Sequence, residues 1–370
     1  MITGDSVLTA KAIATNINII KGKEGAVEGS KIESIDDEDF YNTRVFARVS
    51  PQHKQVIIEK YQAQDKIIAM TGDGVNDALA LAISDVGIAM GITGTDVAKQ
   101  ASDVVISDDS FGSTIRGIRE GRGLFEKIRL MIFFFITLNI AEAIIYFTGS
   151  FILNFALLNN FQRVIIFTTA HALPPMAIVF DKIADEIMDS PPRDNEEIFN
   201  KRYLGALIVV ALSLAFSAGL IYLLAVNGVI KVSDYNLSGI TPILQSDSGN
   251  ILDSKTLNHA KARTMFLTIL IFTESFMVLS FRRFNKSLFK SLKEDFNWLV
   301  IIFVIVVPIV FLIVMYITPL QLFLTNTLSV NLELLPLGII DWLILLIVII
   351  FPIIALETFK WTVRKKQEYF

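Results

Sequence analysis

The sequence predicts two folds in series: an α/β region with a parallel sheet over residues 1–125, then an all-α membrane bundle over 126–370. Three observations carry this. The chain is 53% hydrophobic with a mean hydropathy of +0.55 over 370 residues, the balance of a protein partly dissolved in lipid. The hydrophobicity is uneven, with ordinary charge density up to residue 125 and long apolar stretches recurring from Leu130 to Leu356. In the first part, short continuous apolar runs alternate with helical patterns, as they do in parallel sheets covered on both faces.

The elements of the first part follow in order. "MITGDSVLTAKAIATN" opens with a short apolar run, turns at Thr3-Gly4-Asp5 and continues as a helix. It lacks the basic n-region and apolar core of a signal peptide, so the chain is expected to begin in the cytosol. "RVFARVS" (44–50) reads as a strand, and "PQHKQVIIEKYQAQ" as a helix with Ser50 as N-cap and Pro51 at its first position. "KIIAM" (66–70) is a strand, "NDALALAIS" a helix, "VGIAM" (86–90) a strand, "TDVAKQAS" a short helix and "DVVIS" (103–107) a last strand. Ligands of such sheets sit at the strands' C-terminal ends.

Six membrane spans are expected, near 130–153, 157–180, 203–226, 264–281, 298–318 and 338–359, each offering the roughly 20 apolar residues a bilayer core needs. The segment "RRFNKSLFKSLKEDFN" (282–297) and the tail "KWTVRKKQEYF" are basic, whereas 154–160 and 319–337 hold no Lys or Arg. The basic segments are therefore expected on the cytoplasmic side, which with an even span count puts both termini and the α/β part there. The 33 Lys+Arg against 37 Asp+Glu give no reason to propose nucleic acid as a partner, and without cysteine there is no disulfide or thiolate metal site.

The stretch "KIIAMTGDGVNDALALAIS" concentrates chemistry at a strand end. Asp73 closes the strand, Gly72 and Gly74 let the backbone turn close to a ligand, and Asn76 and Asp77 open the next helix. Hard carboxylate oxygens suit Mg²⁺ and helix N-terminal amides suit a phosphate. A second such turn at Thr3-Gly4-Asp5, with Lys54 on a helix between them, completes the set that phosphoryl transfer uses.

At these residues the sequence resembles the P-type cation-transporting ATPases, and most closely their calcium-pump and sodium-pump branch. The matching motifs are "MITGDSVLTAKAIA", "FARVSPQHK", "AMTGDGVNDALAL", "DVGIAMGITGTDVAKQASDVVISDD" and "PPR" after the second span. The resemblance implies a haloacid-dehalogenase-like phosphorylation domain. It implies that Thr3, Gly4 and Asp5 contact the phosphoryl group and nucleotide, and that Arg48 and Asn76 help bind ATP. Lys54 would neutralise the transferred phosphoryl group, and Asp73 with Asp77 would hold or orient Mg²⁺. The family's D-K-T-G-T nucleophile, nucleotide-binding domain, actuator domain and first four spans have no counterpart in this sequence. The chain therefore reads as the C-terminal half of a pump, with the N-terminal half expected as a separate partner chain. Two alternatives stay open: a non-catalytic remnant or regulator pairing with an intact pump, and a membrane-tethered phosphatase.

Within the spans, Asn139 and Glu142 are three apart on one helix face, and Glu274 is a further intramembrane carboxylate. Ionisable residues at that depth mark a cation pathway, and all three match cation ligands by the resemblance. In the second span Phe167, Ala170 and His171 stand where calcium pumps carry an asparagine, a threonine and an aspartate. Imidazole is a poor ligand for Ca²⁺, which wants six or more oxygens, so two-site calcium transport is not expected. His171 is read either as a proton site exchanging with Glu142 or Glu274, or as a neutral histidine filling the break beside Pro174-Pro175.

Overall fold

The computed structural model describes residues 1–22, 25–152, 157–189, 201–232, 254–328, 330 and 332–367, and structural statements refer to these. The "PPR" motif at 191–193 and most of the 227–263 connection lie outside the described residues. The chain divides into two compact units, Met1–Ile118 and Arg119–Phe370.

In the first unit, β1 (Gly25–Glu28) pairs in parallel with β2 (Thr43–Ala47), and Ile2 bridges in parallel to Phe46 on the same strand. A second parallel sheet runs β3 (Ala69–Gly72), β4 (Val86–Met90), β5 (Val104–Ile106) in that order. The helices between them are α1 (Val7–Asn16), α2 (Asp37–Asn42), α3 (Pro51–Gln62), α4 (Ala78–Ile83) and α5 (Asp96–Ala101). α3 starts where the sequence predicts. Ser50 Oγ accepts from the His53 amide at 3.3 Å and the Ser50 amide donates to His53 Nδ1 at 3.2 Å, ahead of Pro51. β3 begins at Ala69, three residues after the expected start at Lys66, because the Ile68 amide is taken by Asp85 Oδ2 at 2.9 Å rather than by a neighbouring strand. Asp85, held below the ordinary carboxylate range chiefly by that amide, acts as the strand's side-chain cap.

Three apolar clusters fill this unit. Ile58, Met70, Ala80, Leu81, Ala89 and Ala98 form one, Ile32, Phe40, Phe46 and Ile57 a second, with Ile2 packed against both, and Ala10, Ala14, Ile20, Val45 and Ala47 a third. Burying a side chain as fully as Ile58 or Leu81 contributes about 1.5–3 kcal/mol. Gly87 lets α4 approach β4: a Cβ there would lie 2.5 Å from the Leu81 carbonyl oxygen.

The second unit is helical. Its elements are α6 (Phe111–Phe147), inside which the division between units falls, α7 (Asn160–Ile165), α8 (Leu173–Val179), α9 (Lys201–Val226), α10 (Ser254–Phe281), α11 (Leu288–Glu294), α12 (Trp298–Tyr316), α13 (Thr318–Leu328) and α14 (Ile339–Gln367). Among the described residues five helices are long and apolar enough to cross a membrane: α6 with the turn that follows it, α9, α10, α12 and α14. The expected second span, near 157–180, is not a continuous helix. It consists of α7, a π turn at Ile166–Ala170, and α8. Pro174 and Pro175 have no N–H, so the carbonyls of Ala170 and His171 four residues earlier lose their α-helical donors, and the His171 amide reaches back five residues to the Ile166 carbonyl at 3.1 Å.

α10 is the centre of this unit, buried along most of its length against α9, α12 and α14. Its C-terminal end is tied to the end of the broken segment. Arg282 Nε donates to Asp181 Oδ2 at 3.1 Å, and Arg283 pairs with the same carboxylate at 3.0 Å. The buried Lys360 donates to the Ser280 carbonyl at 2.9 Å and to Glu357 at 2.7 Å. Such buried pairs fix geometry more than they add net stability, because desolvation offsets most of the Coulombic gain.

Candidate functional site

The first candidate site is the turn after β3. The strand ends at Gly72, Asp73 and Gly74 form the turn, and Val75–Asp77 make a single 3₁₀ turn into α4. Gly72 is required by a close approach, since a Cβ there would sit 2.5 Å from the Asp77 Cβ. The two carboxylates then occupy different environments. Asp77 is buried, accepts from the Gly74 amide at 3.3 Å and is ion-paired with Lys54, which α3 brings across 23 residues of chain. Asp73 is exposed, and among the described residues its carboxylate takes no side-chain partner, while its carbonyl accepts from the Thr95 amide at 2.8 Å. A hard cation therefore meets an available carboxylate in Asp73 and a neutralised one in Asp77. Asn76 is exposed beside them.

The Thr3-Gly4-Asp5 turn is bonded to itself and to the Arg48 turn. Thr3 Oγ1 donates to Asp5 Oδ2 at 3.1 Å, and the Asp5 amide donates back to Thr3 Oγ1 at 3.2 Å. The Arg48 amide donates to the Asp5 carbonyl at 3.0 Å and the Val49 amide to the Thr3 carbonyl at 3.2 Å. Arg48 holds φ at 50°, a left-handed conformation, and its exposed guanidinium pairs with Glu28 at 3.1 Å. Gly4 faces open space.

One group was not singled out in the sequence. Asp109 accepts from the Ile92 amide at 2.9 Å, the Thr93 amide at 2.7 Å and the Thr93 hydroxyl at 2.8 Å, which holds its carboxyl down at about 2. The loop it grips continues to Thr95, whose amide anchors Asp73. The signal for it was the "SDD" that follows the last strand of the sheet, an Asx turn in appearance.

The second candidate site lies in the helical unit. Glu142 on α6, His171 beyond the π turn, and Glu274 on α10 converge. His171 Nε2 is 3.4 Å from Glu142 Oε1 and 3.4 Å from Glu274 Oε2, and the three ligand atoms lie within 4.8 Å of one another. Glu274 is fully buried and His171 is 4% exposed. Glu142 Oε1, both His171 nitrogens and both Glu274 oxygens are buried without a hydrogen-bond partner. Asn139 does not join them: it is exposed, and its amide donates to the Phe135 carbonyl at 2.7 Å on its own helix. Thr168 and Thr169 likewise donate to backbone, at 2.7 Å to Val164 and 2.6 Å to Ile165. Phe167 is exposed and Ala170 buried.

Comparison with known proteins bears on the family. Residues 155–362 match the family described as the cation transporting ATPase C-terminus, and residues 1–85 match the haloacid dehalogenase-like hydrolases. The chain is similar to a calcium-transporting ATPase of Bacillus subtilis, 38% identical over 213 residues, which cover 56% of this chain and 24% of that protein. It is similar to a sodium/potassium-transporting ATPase alpha subunit of Drosophila melanogaster, 30% identical over 345 residues, 80% of this chain and 32% of that one. A potassium-transporting ATPase alpha chain of Rattus norvegicus is 35% identical over 230 residues, 53% of this chain and 22% of that one. The chain thus spans from about a quarter to a third of the length of these relatives. With a hydrolase match over the carboxylate turns and a transporter match over the helical unit, the chain belongs to the P-type cation-transporting ATPases.

Proposed function

We propose that this chain provides the C-terminal half of an ATP-driven cation pump: part of its phosphoryl-handling site and part of its membrane cation site. The observation that carries the proposal is the coexistence, in one chain of this family, of an exposed carboxylate beside a Lys54–Asp77 pair and a buried Glu142–His171–Glu274 cluster. In this reading Asp73 holds Mg²⁺, and Asp77 keeps Lys54 in place. Lys54 faces the transferred phosphoryl group, and Thr3, Gly4, Asp5, Arg48 and Asn76 line the nucleotide and phosphate side. When bound, Mg²⁺ supplies charge neutralisation of the phosphoryl oxygens of ATP. Glu142 and Glu274 act on the transported cation together with His171.

The half that bears the aspartyl nucleophile and the nucleotide-binding domain completes the pump, as a separate chain in this proposal, and the basic segments and both termini lie on the cytoplasmic side. The test is acid-stable ³²P labelling from ATP in native membranes, followed by sizing of the labelled polypeptide. Asp73→Asn is expected to lower labelling at least about 1,000-fold. Undiminished labelling in that variant contradicts the Mg²⁺ assignment. A labelled polypeptide distinct from this chain but co-purifying with it identifies the separate half.

A further inference from the structure

We propose that the Glu142–His171–Glu274 cluster is selective for a divalent transition-metal ion of borderline hardness, of the Zn²⁺ or Co²⁺ kind, in preference to Ca²⁺. This rests on the reading of the cluster as a cation site and names the class of ion it takes. The first observation is the donor set. One imidazole nitrogen and two carboxylate oxygens converge from three separate elements, α6, the segment after the π turn, and α10. Imidazole suits the later first-row divalent ions, carboxylate suits both them and the hard ions, and Ca²⁺ takes six to eight oxygens.

The second observation is how little else these groups do. Five nitrogen and oxygen atoms at one place are buried without a well-aligned hydrogen bond, Glu142 Oε1, His171 Nδ1 and Nε2, and Glu274 Oε1 and Oε2, with only the long 3.4 Å approaches of Nε2 to the two carboxylates between them. Buried polar atoms are satisfied in the great majority of cases, and a concentration of exceptions calls for an ion, water or strain to account for it. Strain does not fit, since three unconnected elements present the groups. A single ion pair accounts for only part of it, since one imidazolium answers one of the two carboxylates.

The third observation is distance. Donors held about 2.0–2.2 Å from a metal in tetrahedral or octahedral geometry are separated by roughly 3.0–3.5 Å. His171 Nε2 stands 3.4 Å from each carboxylate oxygen, and the three ligand atoms lie within 4.8 Å of one another, so the imidazole matches this spacing and any adjustment falls to the carboxylates. Pro174 and Pro175 leave the carbonyls of Ala170 and His171 without their α-helical donors, on the same short segment that presents the imidazole. The imidazole nitrogen keeps the preference on the transition-metal side.

The test uses the purified full chain in lipid nanodiscs, isolated through a tag free of histidine, with Co²⁺, Zn²⁺ and Ca²⁺ alone as probes. One Co²⁺ per chain is expected, with visible absorption bands of a nitrogen- and oxygen-ligated ion, displaced by Zn²⁺ and not by equimolar Ca²⁺. His171→Ala is expected to weaken Co²⁺ binding about 100-fold or more. His171→Asp, which keeps a ligand of similar reach but replaces nitrogen by oxygen, is expected to reverse the order so that Ca²⁺ displaces Co²⁺. The other histidines of the chain, His53 and His259, stay in place in both variants, so binding that survives unchanged in them overturns the assignment. Ca²⁺ binding ahead of Co²⁺ in the unaltered chain, or no divalent ion binding, also overturns it; protons or a monovalent ion then become the cargo. None of these outcomes touches the pump reading, which fails instead on the Asp73→Asn labelling.

Discussion

The two candidate sites use nearly the same parts, two carboxylates and one basic group, in two different solvents. In the turn after β3, Asp77 has its charge answered by Lys54 and its second oxygen by an amide, while Asp73 stands in water. In the helical unit, Glu274 and Glu142 share His171 at 3.4 Å each, with Glu274 fully buried and both its oxygens unpartnered. The turn is therefore a site already neutralised and ready to present one carboxylate, whereas the membrane cluster carries an electrostatic cost that a cation relieves. The difference teaches how each charge is answered: in the turn by Lys54 and an amide, and in the cluster by one imidazole between two carboxylates.

Opposite stability changes follow when each site loses a charge. Asp77→Asn leaves the half-buried Lys54 ammonium without its partner and is expected to destabilise the first unit by about 1–3 kcal/mol. Hydrogen exchange of the β3–α4 amides reads this directly as faster opening. Glu274→Gln, by contrast, removes the surplus negative charge and leaves one Glu142–His171 pair. In the absence of divalent ions it is expected to stabilise the second unit by about 1–2 kcal/mol, visible as a higher melting temperature of the chain in nanodiscs. A lower melting temperature would mean that the cluster is a structural ion pair, and the contrast between the sites would collapse.

A double substitution sharpens the first half of the comparison. Lys54→Met with Asp77→Asn is expected to recover roughly 1 kcal/mol of what Asp77→Asn loses, because no buried charge remains unanswered. If the double variant is simply the sum of the single ones, the two side chains act independently and the pair is not the anchor of the turn.

The smallest effect concerns Asp109. Its carboxyl is held from 3.8 down to about 2, first by the Ile92 amide and then by Thr93. A depressed folded-state value means a contribution fully present above pH 3.8 and lost as pH falls towards 2. Asp109→Asn, at a position whose φ of 49° asparagine tolerates, should flatten the acid limb of the first unit's stability curve between those values. An unchanged acid limb would show that the Asp109 clasp does not hold the loop that carries Thr95.

Much of this was legible in the sequence because the signals were local. Ser50, Pro51 and His53 fix the start of α3 within four residues, and Gly72 with Asp73 and Asp77 define their turn within six. What could not be read was set by partners distant in the chain. Asp85, 17 residues away, takes the Ile68 amide and delays β3, and Asp109 reaches back 16 residues to the loop beside Asp73. Hydropathy alone counted six spans, because an apolar stretch such as 157–180 scores alike whether it is one helix or two short ones around a π turn. The tandem prolines were visible, yet their consequence depends on which carbonyls they leave free. Asn139 and Glu142 share a helix face by spacing, but the structure brings only Glu142 to His171, since the neighbours that decide are on other elements. The meeting of Glu142, His171 and Glu274 spans 132 residues, and no periodicity encodes it.

The most direct test of the central claim, that one chain carries a phosphoryl-handling turn and a separate cation site of the same pump, is phosphorylation by inorganic phosphate in the complete assembly across a cation titration. With the unaltered chain, acid-stable label is expected to fall as the transported cation is added. With Glu142→Gln the label should form to the same level and ignore the cation. Loss of labelling altogether in Glu142→Gln, or label that still falls with the cation as it does in the unaltered chain, would contradict the division of roles between the two sites.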